Sequence, residues 1–370
     1  MSEVPESLEN ESPAIRPSRM KVVARYALAL AIAALGGTVF YLLGLPLPFM
    51  LGAMSFCAVA AIAGAPVTSP LPIRPPMAAI IGAMLGAGFT TAVLADMVRW
   101  AVPLMGLVLF MLASVLVSVT YLRRVAGYDA RTAYFAGMPG GLADMAIIGE
   151  AAGGDMRKIA MTHATRILIV VFTVPFFVRY VSGVELPAVR PDSVSILDVE
   201  PVVFLWLVGT CVGGVLLAHL LRMPAKYILG PMLVSAVIHA LGWTDYKLPY
   251  ELVIVAQIVL GAGIGCRFAG LRPREIGSMI VAGVGSTVLL LLITAAFAYG
   301  VDAVSGLNPL SLFLAYSPGG LMEMGLVAIA IGIDTAFVAA HHIVRIALVG
   351  LFAPLTFRLL PVAQAPDAAD

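Results

Sequence analysis

Charge is scarce in this chain. Of its 370 residues only 22 are Lys or Arg and 21 are Asp or Glu, so charged residues make up 12%. Soluble domains carry about 25%. Cysteine is scarcer still. Cys57, Cys211 and Cys266 stand alone in or beside apolar segments, with no CxxC or pairing pattern, so neither a disulfide framework nor a Cys-based metal centre is expected. Long polar stretches are missing except at residues 1–24, about 182–200 and after Ala363. This excludes a sizeable soluble domain, and with it the basic module or reading helix that nucleic-acid binding needs. Residues 1–20 lack the basic-then-apolar build of a cleaved signal peptide, so the first apolar segment is expected to be retained.

What is abundant is apolar sequence. Hydrophobic residues reach 61% and mean hydropathy is +1.01. Runs of about twenty apolar residues recur along the chain, which predicts an all-α polytopic membrane protein with the lipid bilayer as its first partner. Twelve segments can be drawn. Six lie near 25–43, 48–65, 77–94, 101–121, 132–152 and 159–180, and six near 201–221, 228–242, 251–268, 277–299, 309–332 and 336–357.

The two sets of six carry one motif twice. Residues 139–167 and 318–346 align without a gap at a shift of 179, and twelve of the 29 positions are identical. Pro139, Gly140, Gly141 and Leu142 match Pro318, Gly319, Gly320 and Leu321. Asp144 faces Glu323, Gly153 faces Gly332, Asp155 faces Asp334, His163 faces His342 and Arg166 faces Arg345. An apolar bias would align Ala with Ala, but not acid, His and Arg in register, so the chain reads as an internal duplication. Weaker matches extend it: Pro46, Gly52 and Met54 with Pro224, Gly230 and Met232, and Leu85–Gly88 with Leu260–Gly263. The organisation expected is a cytosolic tail over 1–24, repeat 1 over 25–181, a linker over 182–200, repeat 2 over 201–360 and a tail over 361–370.

The positive-inside rule orients the repeats. Arg16, Arg19, Lys21 and Arg25 place the N-terminus in the cytoplasm. If repeat 1 made six crossings, Arg222, Lys226, Arg267, Arg272 and Arg274 would face outward. With five, those residues fall inside, and the acidic linker (Glu185, Asp192, Asp198, Glu200) and Asp302 fall outside. The pattern therefore predicts inverted repeats, each of about five crossings plus one segment that fails to cross. The PGGL segment is the candidate, because Pro and two Gly break a helix; the short second and third segments are the others.

A break at membrane depth leaves backbone N–H groups that only protein or a watery cavity can satisfy, and the half-helix that follows can hold an anion. A tight turn between two spans is the plainer alternative. Asp144 and Glu323, early in the resumed helix, read either as first-turn caps or as a cation or proton site. Asp155 and Asp334, each two residues past a Gly, read as N-caps of the next helix. His163 with Arg166, and His342 with Arg345, share one helix face. Each Arg either pairs with its acid (Arg166 with Asp144, Arg345 with Glu323) or clamps an anionic solute. The doublet His341-His342 does not make a metal site, since neighbours in a helix diverge; His219 and His239 read as core or interface residues. The candidate substrate or ion site is thus Pro139, Gly140, Gly141, Asp144, His163, Arg166, Pro318, Gly319, Gly320, Glu323, His342 and Arg345, with no catalytic residue, metal or cofactor expected.

The doubled PGGL-x-[DE]-M with a downstream His-x-x-Arg resembles the AbrB-type membrane proteins, over nearly the whole chain. The resemblance implies an integral inner-membrane protein of bacteria, carrying the labels ammonia monooxygenase or AbrB family transcriptional regulator. Neither label follows from these residues. A copper or iron oxygenase needs clustered ligands, and only two of the five His residues sit at repeat-equivalent positions. The expectation is a secondary transporter of a small anionic or ammonium-like solute driven by H⁺ or Na⁺, with Asp144 and Glu323 as coupling groups and the His residues as proton-sensitive neighbours. The alternative is a membrane-embedded regulator that acts indirectly. A homo-oligomer is compatible with the sequence, which does not set the number of copies.

Overall fold

The computed structural model describes residues 19–181, 183, 193–270 and 273–359. Arg16, most of the linker with Glu185 and Asp192, Arg272 and the tail over 361–370 lie outside the described residues, as does the N-terminal tail up to residue 18. The described residues form fifteen α-helices and no strand. In the first half these are α1 (Arg19–Leu42), α2 (Pro48–Ile62), α3 (Arg74–Gly86), α4 (Thr91–Asp96), α5 (Ala101–Arg124), α6 (Ala130–Gly137), α7 (Leu142–Ala151) and α8 (Met156–Val181). In the second they are α9 (Pro201–Leu220), α10 (Lys226–Ala240), α11 (Tyr250–Gly265), α12 (Pro273–Ser305), α13 (Pro309–Tyr316), α14 (Leu321–Ile331) and α15 (Thr335–Leu359). Seven stretches are long and apolar enough to cross a membrane, and α2, α10 and α14 are shorter apolar helices. The protein is an all-α, multi-pass membrane protein.

Two boundaries differ from the hydropathy reading. The segment near 77–94 is not one helix: α3 stops at Gly86, and Thr90 opens a new helix by accepting a hydrogen bond from the Val93 N–H (3.4 Å). Residues 91–100 thus join the following span, Thr91–Arg124. Hydropathy does not register the change because the Gly86-Ala87-Gly88 corner is itself apolar. Further, α1 begins at Arg19, inside the stretch assigned to the tail.

Small residues set the packing. A side chain on Gly36 of α1 would strike the backbone of Gly52 in α2, and one on Gly214 of α9 would strike Gly230 and Pro231 in α10. Without a hydrophobic force between helices in lipid, such close backbone approach gives dispersion contact its full effect. α2 then packs on α11 and α10 on α3. Gly261 and Gly265 lie on the Met50 and Met54 carbonyls, and Gly82 and Gly86 on those of Ile228 and Met232, so both pairs run parallel. By contrast α5 and α12 run antiparallel. Gly106 meets Val301, Phe110 meets Phe297 (ring centroids 5.7 Å), and the Ser118 and Ser286 hydroxyls bond at 2.7 Å.

The PGGL segments are hairpins. After the break at Ser-Pro-Gly-Gly or Met-Pro-Gly-Gly the chain turns back rather than onward. A side chain on Gly149 of α7 would meet the Phe135 Cβ of α6, and the Asp155 N–H donates to Thr132 Oγ1 (2.8 Å), so residues 130–155 begin and end at one level. In the second half α13 lies beside α15, and Gly332 turns α14 straight into α15 with φ of 71°, a left-handed conformation that suits Gly. The equivalent Gly153 has φ of 81°.

This packing predicts opposite results for two glycines. Gly230→Ala places a methyl group in the Gly214 backbone, which cannot yield, and should destabilise by about 1–3 kcal/mol. Gly209→Ala meets nothing within 4 Å and should be neutral or stabilising by up to about 1 kcal/mol through helix propensity. Thermal unfolding of both variants in detergent checks this; equal melting temperatures would refute the packing argument.

Candidate functional site

Each hairpin is built from a half-helix of eight residues, α6 or α13, whose last carbonyls, as in any helix, find no partner within it. The His-x-x-Arg pair of the neighbouring long helix satisfies them. In the first half His163 Nε2–H donates to the Phe135 carbonyl (3.0 Å), and Arg166 donates through Nη1 to Met138 (2.8 Å) and through Nη2 to Ala136 (2.6 Å). In the second half His342 Nε2–H donates to Leu314 (3.1 Å), and Arg345 to the Ser317 and Gly319 carbonyls (both 2.5 Å). The His, and the first guanidinium bond, sit 28 residues from their acceptors in both halves.

All four side chains are buried; Arg166 is 2% exposed and Arg345 4%. Placing an Arg at the centre of a membrane helix costs about 2.5–3.5 kcal/mol on insertion scales. Two hydrogen bonds from a charged donor contribute about 1.5–3 kcal/mol each, so the pair offsets that cost. The expected ion pairs with Asp144 and Glu323 are therefore replaced. The guanidinium groups spend both Nη positions on carbonyls, which removes them as a clamp on a solute and leaves each Nε–H buried without a partner. The histidines are committed as well. His342 Nδ1 accepts from Arg345 Nη2 (2.8 Å) while Nε2–H faces the Leu314 carbonyl, so the neutral ring is the form both neighbours need. That argues against His342 as a proton carrier.

At the tips, Pro139, Gly140 and Gly141 precede α7, and Pro318, Gly319 and Gly320 precede α14. Each tip rests on the last helix of the other half: Gly140 faces Val349 and Gly319 faces Val170. Both acids fold back towards the half-helix they open. Asp144 Oδ2 lies 2.9 Å from where a Gly141 side chain would begin, and Glu323 Oε2 occupies the corresponding space at Gly320. The partial positive charge of a helix N-terminus favours that placement. The two acids differ in burial. Asp144 is exposed, whereas Glu323 is buried and its Oε2 has no hydrogen-bond partner.

Asp155 and Asp334 lie away from the tips, at the starts of α8 and α15. Asp155 Oδ1 accepts from the Lys158 N–H (3.1 Å), and Asp334 Oδ1 from Ala336 (3.0 Å) and Phe337 (3.1 Å). His341 is buried, with Nδ1 near the Phe337 carbonyl (2.8 Å), and His239 lines a separate polar cluster with Tyr246. Among the described residues no three His, Cys, Asp or Glu side chains come together as metal ligands.

The sequence reading missed Arg267, which counted only towards topology. It follows α11 in a short 3-10 turn, Cys266–Phe268, and Phe268 belongs to the buried cluster that includes Met161 and Ala164 of α8, with Leu142 of α7 packed against that cluster. Arg267 is within electrostatic reach of Glu323, His163 and Arg74, and its Nη1 is buried without a partner. The signal available was an Arg at the end of an apolar span whose only other charge, Glu251, lies in its first turn. A cavity of about 800 Å³ opens on the other side of α14, between its C-terminal half (Leu326, Ile329), the Gly332–Thr335 turn and the loop before α11. It reaches Leu326, one turn past Glu323.

The family described as "Transition state regulatory protein AbrB" matches residues 49–361. The chain belongs to the AbrB family. It is 27% identical over 328 residues to "Putative regulator AbrB" of Escherichia coli (strain K12), covering 87% of this chain and 92% of that one. It is 28% identical over 251 residues to "Uncharacterized protein YhjN" of Bacillus subtilis (strain 168), covering 64% of this chain and 65% of that one. The AbrB match includes both hairpins and both His-x-x-Arg pairs.

If the guanidinium groups hold the hairpins, their loss must show in stability. Arg345→Lys keeps the charge but not the fork, and strands two carbonyls and His342 Nδ1; it should destabilise by roughly 3 kcal/mol or more. Lys158→Ala, which removes an exposed pair with Asp155 at 3.8 Å, should change stability by less than about 1 kcal/mol. Thermal unfolding of the two purified variants is the check, and a stable Arg345→Lys protein would contradict the clamp.

Proposed function

We propose that this protein is a secondary transporter that moves a small solute across the bacterial inner membrane, coupled to H⁺ or Na⁺. The observation that carries the reading is the pair of hairpins whose broken tips, with buried ionisable groups beside them, each pack on the last helix of the opposite half. Irregular backbone at membrane depth is tolerated where it is enclosed by protein or lines a cavity, and transporters place solute and ion sites at such breaks. The repeats are read as inverted, with the hairpins entering from opposite faces and the N-terminus in the cytoplasm. Supporting this, α5 and α12, which hold equivalent places in the two halves, run antiparallel, and the Arg and Lys distribution favours five crossings per half. Glu323, buried beside a break and lacking a partner for Oε2, is the coupling group we favour over the exposed Asp144.

A second reading takes its motive from the printed name of the Escherichia coli relative: a membrane-embedded regulator that affects gene expression without flux.

The experiment has two parts. Cysteines introduced at Asp155 and Asp334 should label from opposite sides of the membrane; same-side labelling would sink the inverted arrangement. In proteoliposomes under a Na⁺ or pH gradient, solute panels should evoke currents that Glu323→Gln abolishes while the protein still inserts. Wild-type currents that persist unchanged in Glu323→Gln would remove Glu323 from the mechanism. A complete absence of current, with a cellular phenotype that survives in Glu323→Gln, would favour the regulator.

A further inference from the structure

We infer that the solute carries an oxyanion group, a carboxylate or phosphate-class anion, and that Arg267 is the residue that receives it. The inference rests on the transport reading only for what happens to the solute after it binds. The chemistry of the seat comes from three observations.

The first is charge. Arg166 and Arg345 are buried within electrostatic reach of each other, and Arg267 lies within reach of Glu323 and of Arg74. Glu323 is the one carboxylate among the described buried residues. An excess of cationic groups in a low-dielectric interior favours an anion and disfavours an amine. The ammonium-like solute that Glu323 alone would suit meets several guanidinium groups here.

The second is which donors remain. The Nη groups of Arg166 and Arg345 are taken by carbonyls, and each keeps only a single open Nε–H in a side chain that is almost fully enclosed. Arg267 is different. Its Nη1 is buried and unpartnered although a carboxylate lies within reach, and the Oε2 of that carboxylate is unpartnered too. A buried donor and a buried acceptor left open are unfavourable unless something fills them. An oxyanion on the guanidinium, with the coupling cation or proton on Glu323, fills both.

The third is access. Arg166 and Arg345 are almost fully enclosed, but Arg267 is half-buried. It follows the glycine-lined end of α11, where Gly263 faces the Arg74 side chain. A planar fork of N–H donors matches the two oxygens of a carboxylate or phosphate, which a point-charge Lys does not.

The test uses the full-length protein in detergent, with sodium acetate, sodium succinate and inorganic phosphate as probes. Sodium chloride at equal ionic strength and methylammonium chloride are the controls. Thermal stability and calorimetry supply the readouts. At least one oxyanion should raise the melting temperature where the controls do not. Arg267→Ala should weaken that oxyanion at least tenfold, and Arg267→Lys should lie between. A response confined to acetate and succinate assigns a carboxylate solute, and one confined to phosphate assigns a phosphate-class solute. If Arg267→Ala does not purify folded, Arg267→Lys carries the test through its loss of affinity. Stabilisation by methylammonium in preference to every oxyanion, no oxyanion response, or affinity unchanged in both variants overturns the inference. Binding that meets these expectations without flux in proteoliposomes would refute transport while leaving the anion seat. Amine flux independent of Arg267 would do the reverse.

Discussion

A helix cannot be broken inside a membrane unless its loose carbonyls find donors, and the rest of this structure depends on how that is done. The donors come from the next long helix. A His and an Arg one turn apart reach sideways onto the end of the half-helix, three carbonyls in each half. Only Arg combines the length, the charge and the fork needed to span two carbonyls at once. With the carbonyl end closed by side chains, the N-terminal end of the second half-helix stays near the tip, where an acid folds onto it. The hairpin is therefore held close to its tip by α8 or α15.

The two halves use this scheme unequally, and the inequality carries the functional argument. A duplication in sequence supplies the same scaffold twice, but a site between the copies is one site and has no reason to be symmetric. Glu323 is enclosed and Asp144 is not. Arg267 comes from a turn after α11, and Ala92 stands at the matching offset from Leu85–Gly88 in the first half. A second His, His341, is buried beside His342, where the first half has Thr162. Each difference places more ionisable chemistry around α14 than around α7.

Much of the scaffold was legible in the sequence, for a physical reason. Breaks, caps and glycine contacts are local, and they recur because the same backbone problem recurs. Pro-Gly-Gly marked both hairpins, and Asp155 and Asp334 sit where an N-cap must sit. The partners of the buried Arg residues were not legible. Sequence shows that Arg166 needs an acceptor, but backbone carbonyls carry no residue signature, so a carboxylate and an anionic solute stood as the two alternatives. The Gly86–Thr90 corner escaped because it is as apolar as the spans around it. Arg267 escaped because a charge at the end of a span ordinarily reports topology, and only the tertiary cluster that joins Phe268 with residues of α8 associates it with the site.

The cross-packing of the tips bears on how such a molecule could move. Gly140 sits on Val349 and Gly319 on Val170, so neither hairpin can shift without changing the helix that clamps the other. The parallel pairs α2 with α11 and α3 with α10 tie the halves together through backbone contacts at glycine, which tolerate sliding along the helix axis better than interlocked large side chains do. In the proposed transporter, a charge bound at Glu323 acts where α14 begins. Filling or emptying that position changes the electrostatic balance of Arg267 and Arg345 together, and the reciprocal contact at the two tips carries that change into both halves.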